Sequence, residues 1–271
     1  MRRRSARRAR GPGPSGVLRL GRPTAVTFDL WYTLVYTRGR SQARLEARRR
    51  RCWEGPLREA GRSDGEAKRL VDRMIAWSHA EEERGRNATI SDQAARLAAL
   101  ARTPVDGRSV AAGLDGALRD ATVRLTPGAM AAVAAVRRNG IPIGLISNLL
   151  SETSEGGREL LARVGLEDKF DAVYLSCEHP WTKPSREPFR WTLRELGVAA
   201  HGVWHVGDHP YDLRGAAAAG MVPLLYSGVH SFERLPLRFT AKDRSIARGS
   251  LADWRKFPSW IDGRSTGPRG R

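Results

Sequence analysis

The stretch "TAVTFDLWYTLVYT", residues 24–37, decides how the chain is read. An apolar run stops at Asp29 and passes through Leu30, Trp31 and Tyr32 to Thr33, where a helical pattern begins. A short continuous apolar run bounded by turn residues fits a strand buried on both faces, as in a parallel sheet. A carboxylate at the end of such a strand is placed to be a nucleophile or a metal ligand. The indole of Trp31 can be neither.

From Pro127 onward, strand-like and helix-like segments alternate. The helix of "GAMAAVAAVRRNG" ends at Gly140 and leads into the strand "IPIGLISN". The helix "GRELLARVG", the strand "DAVYLS", the helix "SREPFRWTLRELG", the strand "GVWHVGD", a short helix in "HPYDLRGAAAAG" and the strand "VPLLYS" follow. Five short apolar strands separated by helices call for an α/β fold, a Rossmann-like parallel five-stranded sheet with right-handed crossovers and helices on both faces. In such sheets the site lies beyond the carboxyl ends of the strands, near the switch in strand order.

Residues 38–125 contain hardly a strand-like run. Ser63 and Glu66 form a capping box ahead of Leu70, Val71, Met74 and Ile75, and Ser91 is expected to open a helix bearing Leu97 and Leu100. This is a helical insert after strand one. The α/β core then comprises residues 23–37 and 126–261. Residues 1–22, rich in Arg, Gly and Pro with no periodic apolar face, and residues 262–271 are expected to be disordered tails.

Composition limits the classes of function. The chain has 271 residues, enough for one core domain with an insert, and carries a formal charge of +18. Residues 1–23 contribute eight Arg and no acid, and residues 262–271 three Arg and one Asp, so the tails supply +10 and the body +8. Only five of the 47 cations are Lys, a skew that fits a GC-rich genome, so nucleic acid is not favoured as a partner. The run Arg48 to Arg51 reads as a solvated helix face or, alternatively, a lure for an anionic substrate. No apolar run reaches the ~20 residues of a membrane span, and a cytoplasmic protein is expected. Cys52 and Cys177 are read as reduced thiols.

The strand ends present a short polar series: Asp29, then Ser147 with Asn148, then Asp208 with Asp212 four residues on, and Lys183 in "WTKPSREPF". Three acids, one lysine and a hydroxyl beside backbone amides suit a phosphate and divalent-cation site. In this order and spacing they resemble the four motifs of the haloacid dehalogenase superfamily. "VTFDLWYTL" is similar to motif one, "GLISN" to motif two, "SCEHPWTKP" to the motif-three segment and "VGDHPYD" to motif four, and the resemblance covers residues 24–260. The insert stands where that family has its C1 cap.

The resemblance implies that Asp29 is a nucleophile forming a covalent aspartyl intermediate, that Ser147 binds the transferred group, and that Lys183 neutralises both. It implies Mg²⁺ held by Asp29, Asp208 and the backbone carbonyl of Trp31, with Asp212 as a further ligand or as the partner of one, and substrate contacts from Thr33 and Asn148. The substrate expected is a small phosphorylated anion, possession of a good leaving group being compatible with the motif. Motif one departs from the phosphatases at Trp31, where they carry the Asp that protonates the leaving alcohol, and at Tyr32, where the family commonly has Gly. Dehalogenases lack that second Asp, because halide needs no proton, but also replace the first acid of motif four, which this chain keeps as Asp208. A metal-independent 2-haloacid dehalogenase and an impaired binding protein of the same fold are therefore the alternatives to a Mg²⁺-dependent phosphatase. His205, alternating with Val206 in its strand, reads as a core residue.

Overall fold

The apolar run around residue 26 forms strand β1 (Ala25–Phe28), all four residues buried. The structure, a computed structural model, describes residues 20–228 and 239–262. Strand β2 (Val35–Tyr36) precedes four insert helices, α1 (Gly39–Glu59), α2 (Asp64–Glu83), α3 (Ile90–Ala101) and α4 (Gly107–Arg119), and strand β3 (Arg124–Leu125) follows them. Then come α5 (Ala129–Arg138), β4 (Ile143–Ser147), α6 (Ser154–Arg163), β5 (Ala172–Leu175), α7 (Glu187–Glu195), β6 (Val203–Gly207), α8 (Pro210–Ala218) and β7 (Val222–Tyr226). The short elements α9 (Ala241–Ile246), β8 (Gly249–Leu251) and α10 (Phe257–Ile261) close the described chain.

The sheet order is β5-β4-β1-β6-β7-β8, with every pair parallel. Among the described residues the parallel sheet thus has six strands rather than the expected five. The sixth, β8, is only Gly-Ser-Leu with one buried residue, too short and polar to register as an apolar run. β2 and β3 pair antiparallel where the insert joins the core. From β1 the chain builds outward to β4 and β5, then returns to the other side of β1 for β6. That reversal puts the carboxyl ends of β1, β4 and β6 around one crevice.

Side chains along β1 alternate between the two faces of the sheet, both of them covered. Val26 and Phe28 join the cluster of α5, α6 and α10, with Val133, Leu160 and Phe257, whereas Ala25 faces Phe189 of α7 and Ala216 of α8. The insert carries its own core of Trp53, Leu57, Val71, Met74, Leu97 and Leu114. Its α2 starts at the Ser63–Glu66 capping box, as its sequence dictates. The next helix is capped by Thr89 with Asp92, two residues ahead of Ser91, because Asp92 stands three residues after the threonine and closes its box reciprocally. Arg48, Arg49 and Arg50 pair with Asp120, Glu152 and Asp72. The two tails lie outside the described residues except at their inner edges, where Arg22 donates to the Asn139 carbonyl at 3.0 Å. Among the described residues no helix is long and apolar enough to cross a membrane.

An ion pair with a buried carboxylate and an exposed guanidinium ties α8 to α9. Asp243 is 1 % exposed and accepts Arg214 Nε at 2.6 Å, Arg214 Nη2 at 2.9 Å and the Thr240 amide and hydroxyl at 2.8 and 2.7 Å. Hydrogen bonds from Arg214 above all hold its carboxyl well below the ordinary 3.8. Asp243→Ala is expected to lower unfolding free energy by about 1–3 kcal/mol at neutral pH, since it strips a charge-assisted network of its acceptor. Because the folded carboxyl titrates below the unfolded one, this contribution is full above pH 3.8 and fades as pH falls through the folded value. Urea melts of both proteins at pH 7 and pH 3 should therefore differ less in the acid, and an equal gap at both would contradict the assignment.

Candidate active site

The polar residues singled out at the strand ends meet in the crevice. Asp29 follows β1 and is 6 % exposed, Asp208 follows β6 at 4 %, and Asp212 lies fully buried in the first turn of α8. These three offer carboxylate oxygens within 4.8 Å of one another. Lys183, 4 % exposed, sends Nζ to Asp29 Oδ1 at 2.5 Å, Asp212 Oδ1 at 2.7 Å and the Ile146 carbonyl at 2.9 Å. One ammonium therefore serves two carboxylates and a strand end.

Asp212 is engaged on both oxygens. Oδ1 meets Lys183 and His205 Nε2, the latter at 3.2 Å, and Oδ2 accepts the His209 amide at 2.9 Å, closing the N-terminal cap of α8. A Cβ on Gly207 would lie 2.2 Å from Asp212 Cγ, so only glycine lets the end of β6 pass this side chain. His205 is held on its other nitrogen by Thr27 Oγ1 at 2.9 Å. It is buried, as expected of a core histidine, but it also orients an acid of the site. Strand alternation reports only which face a residue occupies, so this second role was not visible.

Charge is unbalanced here. Burial, reinforced by Asp212 and opposed by Lys183, pushes the Asp29 carboxyl up to about 6. Burial and the neighbouring Asp29 and Asp212 push Asp208 well above the ordinary carboxylate range as well. Asp212 goes the other way: burial would raise it, but Lys183 and His205 hold it well below the usual range. Burial would lower Lys183, but Asp212 and Asp29 keep it firmly protonated. Three carboxylates against one ammonium leave two negative charges if all ionise, and a divalent cation between Asp29 and Asp208 would balance them. The donor set, all oxygen and all buried, fits a hard cation such as Mg²⁺.

Around the acids the supporting contacts divide by role. Thr33 Oγ1 donates to Asp208 Oδ1 at 3.2 Å, and its carbonyl accepts Thr126 Oγ1 at 2.7 Å and Trp254 Nε1 at 3.1 Å. Ser147, 1 % exposed, has a buried hydroxyl with no hydrogen-bond partner among the described residues. A buried hydroxyl left over at a strand end suits an oxyanion of a ligand. Asn148 accepts the Lys183 amide on Oδ1 at 2.9 Å and donates Nδ2 to the Lys183 carbonyl at 3.0 Å and to Glu82 Oε1 at 2.9 Å. Glu82, from α2, is absent from the series read off the sequence. Nothing local marks it, because its position depends on how the insert docks.

Trp31 and Tyr32 turn the chain out of β1. Both are half-buried against the main core, with ring centroids 6.4 Å apart. Tyr32 adopts φ +57°, the left-handed region that favours glycine, at a cost on the order of 1–2 kcal/mol. Its amide donates to the Val35 carbonyl at 2.6 Å, which closes the turn. Trp181, two residues before Lys183, is 42 % exposed.

Comparison with known proteins places these residues in context. The family model described as haloacid dehalogenase-like hydrolase matches residues 23–220. A phosphoglycolate phosphatase of Rhodospirillum rubrum is 34 % identical over 247 residues, 87 % of this chain and 92 % of that protein. Among solved structures, a phosphatase of the same superfamily from Thermococcus onnurineus superposes with a TM-score of 0.60 at 19 % identity, over 88 % of this chain and 98 % of its own. A 2-haloacid dehalogenase from Pseudomonas syringae does so at 0.59 and 22 %, over 88 % of this chain and 97 % of its own. The two structures share the fold equally well, so fold similarity alone does not choose between their chemistries.

Proposed function

The chain belongs to the haloacid dehalogenase-like hydrolases, and on that premise we propose that it is a Mg²⁺-dependent phosphatase of a small phosphorylated metabolite. The observation that carries this reading is the pairing of Asp29 with Asp208 across one buried site. A dehalogenase needs only the nucleophile and a cation such as Lys183. A second buried carboxylate beside the nucleophile is a liability unless a cation sits between them.

In this reading Asp29 attacks phosphorus, the bond to the leaving oxygen breaks with its electron pair, and an aspartyl-phosphate forms. Water then attacks the phosphorus, returning the carboxylate and releasing phosphate. Lys183 offsets charge on Asp29 and on the phosphoryl group, and the Ser147 hydroxyl donates to a phosphoryl oxygen. Asp212 holds Lys183 in place rather than offering a free oxygen, and Thr33 fixes Asp208. Asp29, Asp208 and the Trp31 carbonyl would hold Mg²⁺, which supplies charge neutralisation and Lewis acidity when bound.

The relative from Rhodospirillum rubrum, a phosphoglycolate phosphatase, supports a small phosphorylated substrate and a phosphatase rather than a dehalogenase. Trp31 favours a substrate whose leaving group needs little protonation, such as an acyl or aryl phosphate. It is also the one feature that favours dehalogenation as a second reading. A panel of phosphate monoesters, acyl phosphates and 2-haloacids, each with Mg²⁺ and with chelator, separates the two. Turnover of haloacids alone, insensitive to chelator, would sink the phosphatase.

Metal binding itself gives a further expected result. Calorimetric titration of the wild type with Mg²⁺ should show one site, and Asp208→Asn should weaken it at least about tenfold by removing a charged oxygen ligand. Equal affinity in the two proteins would remove the cation from the site.

A further inference from the structure

The far end of α2 and the turn that follows it lie on the loop that carries Lys183. The Thr182 amide donates to the Gly85 carbonyl at 3.0 Å, the Asn87 amide to the Pro180 carbonyl at 3.0 Å, and Asn87 Nδ2 to the carbonyls of Ser176 and His179 at 2.7 and 3.1 Å. Gly85 comes so close that a Cβ there would stand 2.7 Å from that of Ser185. These contacts engage the loop's backbone and its flank.

Glu82 differs from them, because it alone in this group reaches a side chain at the end of β4. Its Oε1 accepts Asn148 Nδ2 at 2.9 Å, and the same amide brackets both backbone groups of Lys183 at 2.9 and 3.0 Å. Lys183 in turn reaches Asp29 and Asp212 from that backbone. The result is one path from an insert helix to the nucleophile, by hydrogen bonds as far as the Lys183 backbone and then along the lysine side chain.

We propose that Glu82 is a positioning residue through which the helical insert fixes Asn148, and thereby the backbone from which Lys183 reaches Asp29. Without Glu82 one amide hydrogen of Asn148 loses its acceptor, and the amide keeps only its two bonds to the Lys183 backbone. The clamp on Lys183 then has no tie to the insert and is loosened. The Gly85, Asn87 and Thr182 contacts do not involve the Glu82 side chain, so the insert stays docked. Burial pushes the Glu82 carboxyl above its ordinary value, against the opposing hydrogen bond from Asn148, so a neutral acceptor suffices. Glutamine at 82 therefore preserves the arrangement and alanine does not.

The kinetic arm of the test rests on the phosphatase reading, and the structural arm does not. Amide hydrogen exchange at Lys183, whose N–H bonds Asn148 Oδ1, should quicken several-fold or more in Glu82→Ala and stay near wild type in Glu82→Gln. With p-nitrophenyl phosphate, Glu82→Ala should lower kcat by roughly 10- to 100-fold, the scale of a small misplacement, with KM changed by no more than about twofold. Glu82→Gln should recover most of that loss. Glu82→Ala with Asn148→Ala should be no worse than Asn148→Ala alone, because both act through one contact. Unchanged exchange at Lys183 in Glu82→Ala would overturn the proposal, as would equal impairment by glutamine and alanine, or effects that multiply. A wild type inert towards every phosphate ester would instead overturn the phosphatase reading, with the exchange measurement still deciding the role of Glu82.

Discussion

Asp29→Asn is expected to abolish turnover of every phosphate substrate, with a loss of roughly 10⁴-fold or more, while the protein stays folded. The amide oxygen that replaces the carboxylate is a poor nucleophile and cannot form the acyl phosphate. Lys183 keeps Asp212 as its partner at 2.7 Å, so the ammonium is not stranded. Stability should hold or rise without added metal, because the change removes one of three mutually repelling carboxylates. Sites that crowd like charges are commonly less stable than neutral variants of themselves. Thermal melts with a chelator present should place the Asn variant at or above wild type. Burst kinetics with p-nitrophenyl phosphate and mass analysis of quenched enzyme should show a phosphoryl adduct on wild type only. An Asn variant that kept even about one hundredth of the activity would move the nucleophile elsewhere.

Much of this arrangement was legible because parallel sheets write a simple pattern. β1, β4 and β6 are runs buried at every residue, so each stands out from the helices around it, and a polar residue at its end is conspicuous. Asp29, Ser147 and Asp208 stand out that way, Asp212 by its spacing from Asp208, and Lys183 in the loop after the strand "DAVYLS". What escaped depends on contacts between distant segments. β8 is defined by hydrogen bonding to β7 rather than by its three residues. His205 and Glu82 acquire their roles only through partners 7 and 66 residues away. Composition and periodicity describe a face, and a face does not say which side chain lies across the cleft.

Trp31→Asp addresses the part of the site that the sequence left contradictory. In a phosphoryl transfer from Asp29, the leaving oxygen departs with a pair of electrons. A sugar or alkyl alkoxide needs a proton at that moment, whereas a carboxylate or nitrophenolate needs it far less. Indole cannot supply one, so wild type should favour acetyl phosphate and p-nitrophenyl phosphate over alkyl phosphates. An aspartic acid at position 31, on the turn that leaves β1 beside the nucleophile, should raise alkyl phosphate turnover by roughly 10²- to 10⁴-fold, the usual worth of a positioned acid. The gain on acetyl phosphate should be small, so the ratio of the two substrates reads the acid directly. Losing a half-buried indole costs about 2 kcal/mol of apolar burial, which melts would register without unfolding the core. Trp31→Asn, of nearly equal size but unable to give up a proton, separates chemistry from space: if it matches the Asp variant, the gain came from opening the turn. If neither variant gains and both bind Mg²⁺, the obstacle is the left-handed Tyr32 or the insert above it, and a protein that binds phosphorylated ligands without turning them over becomes the better account.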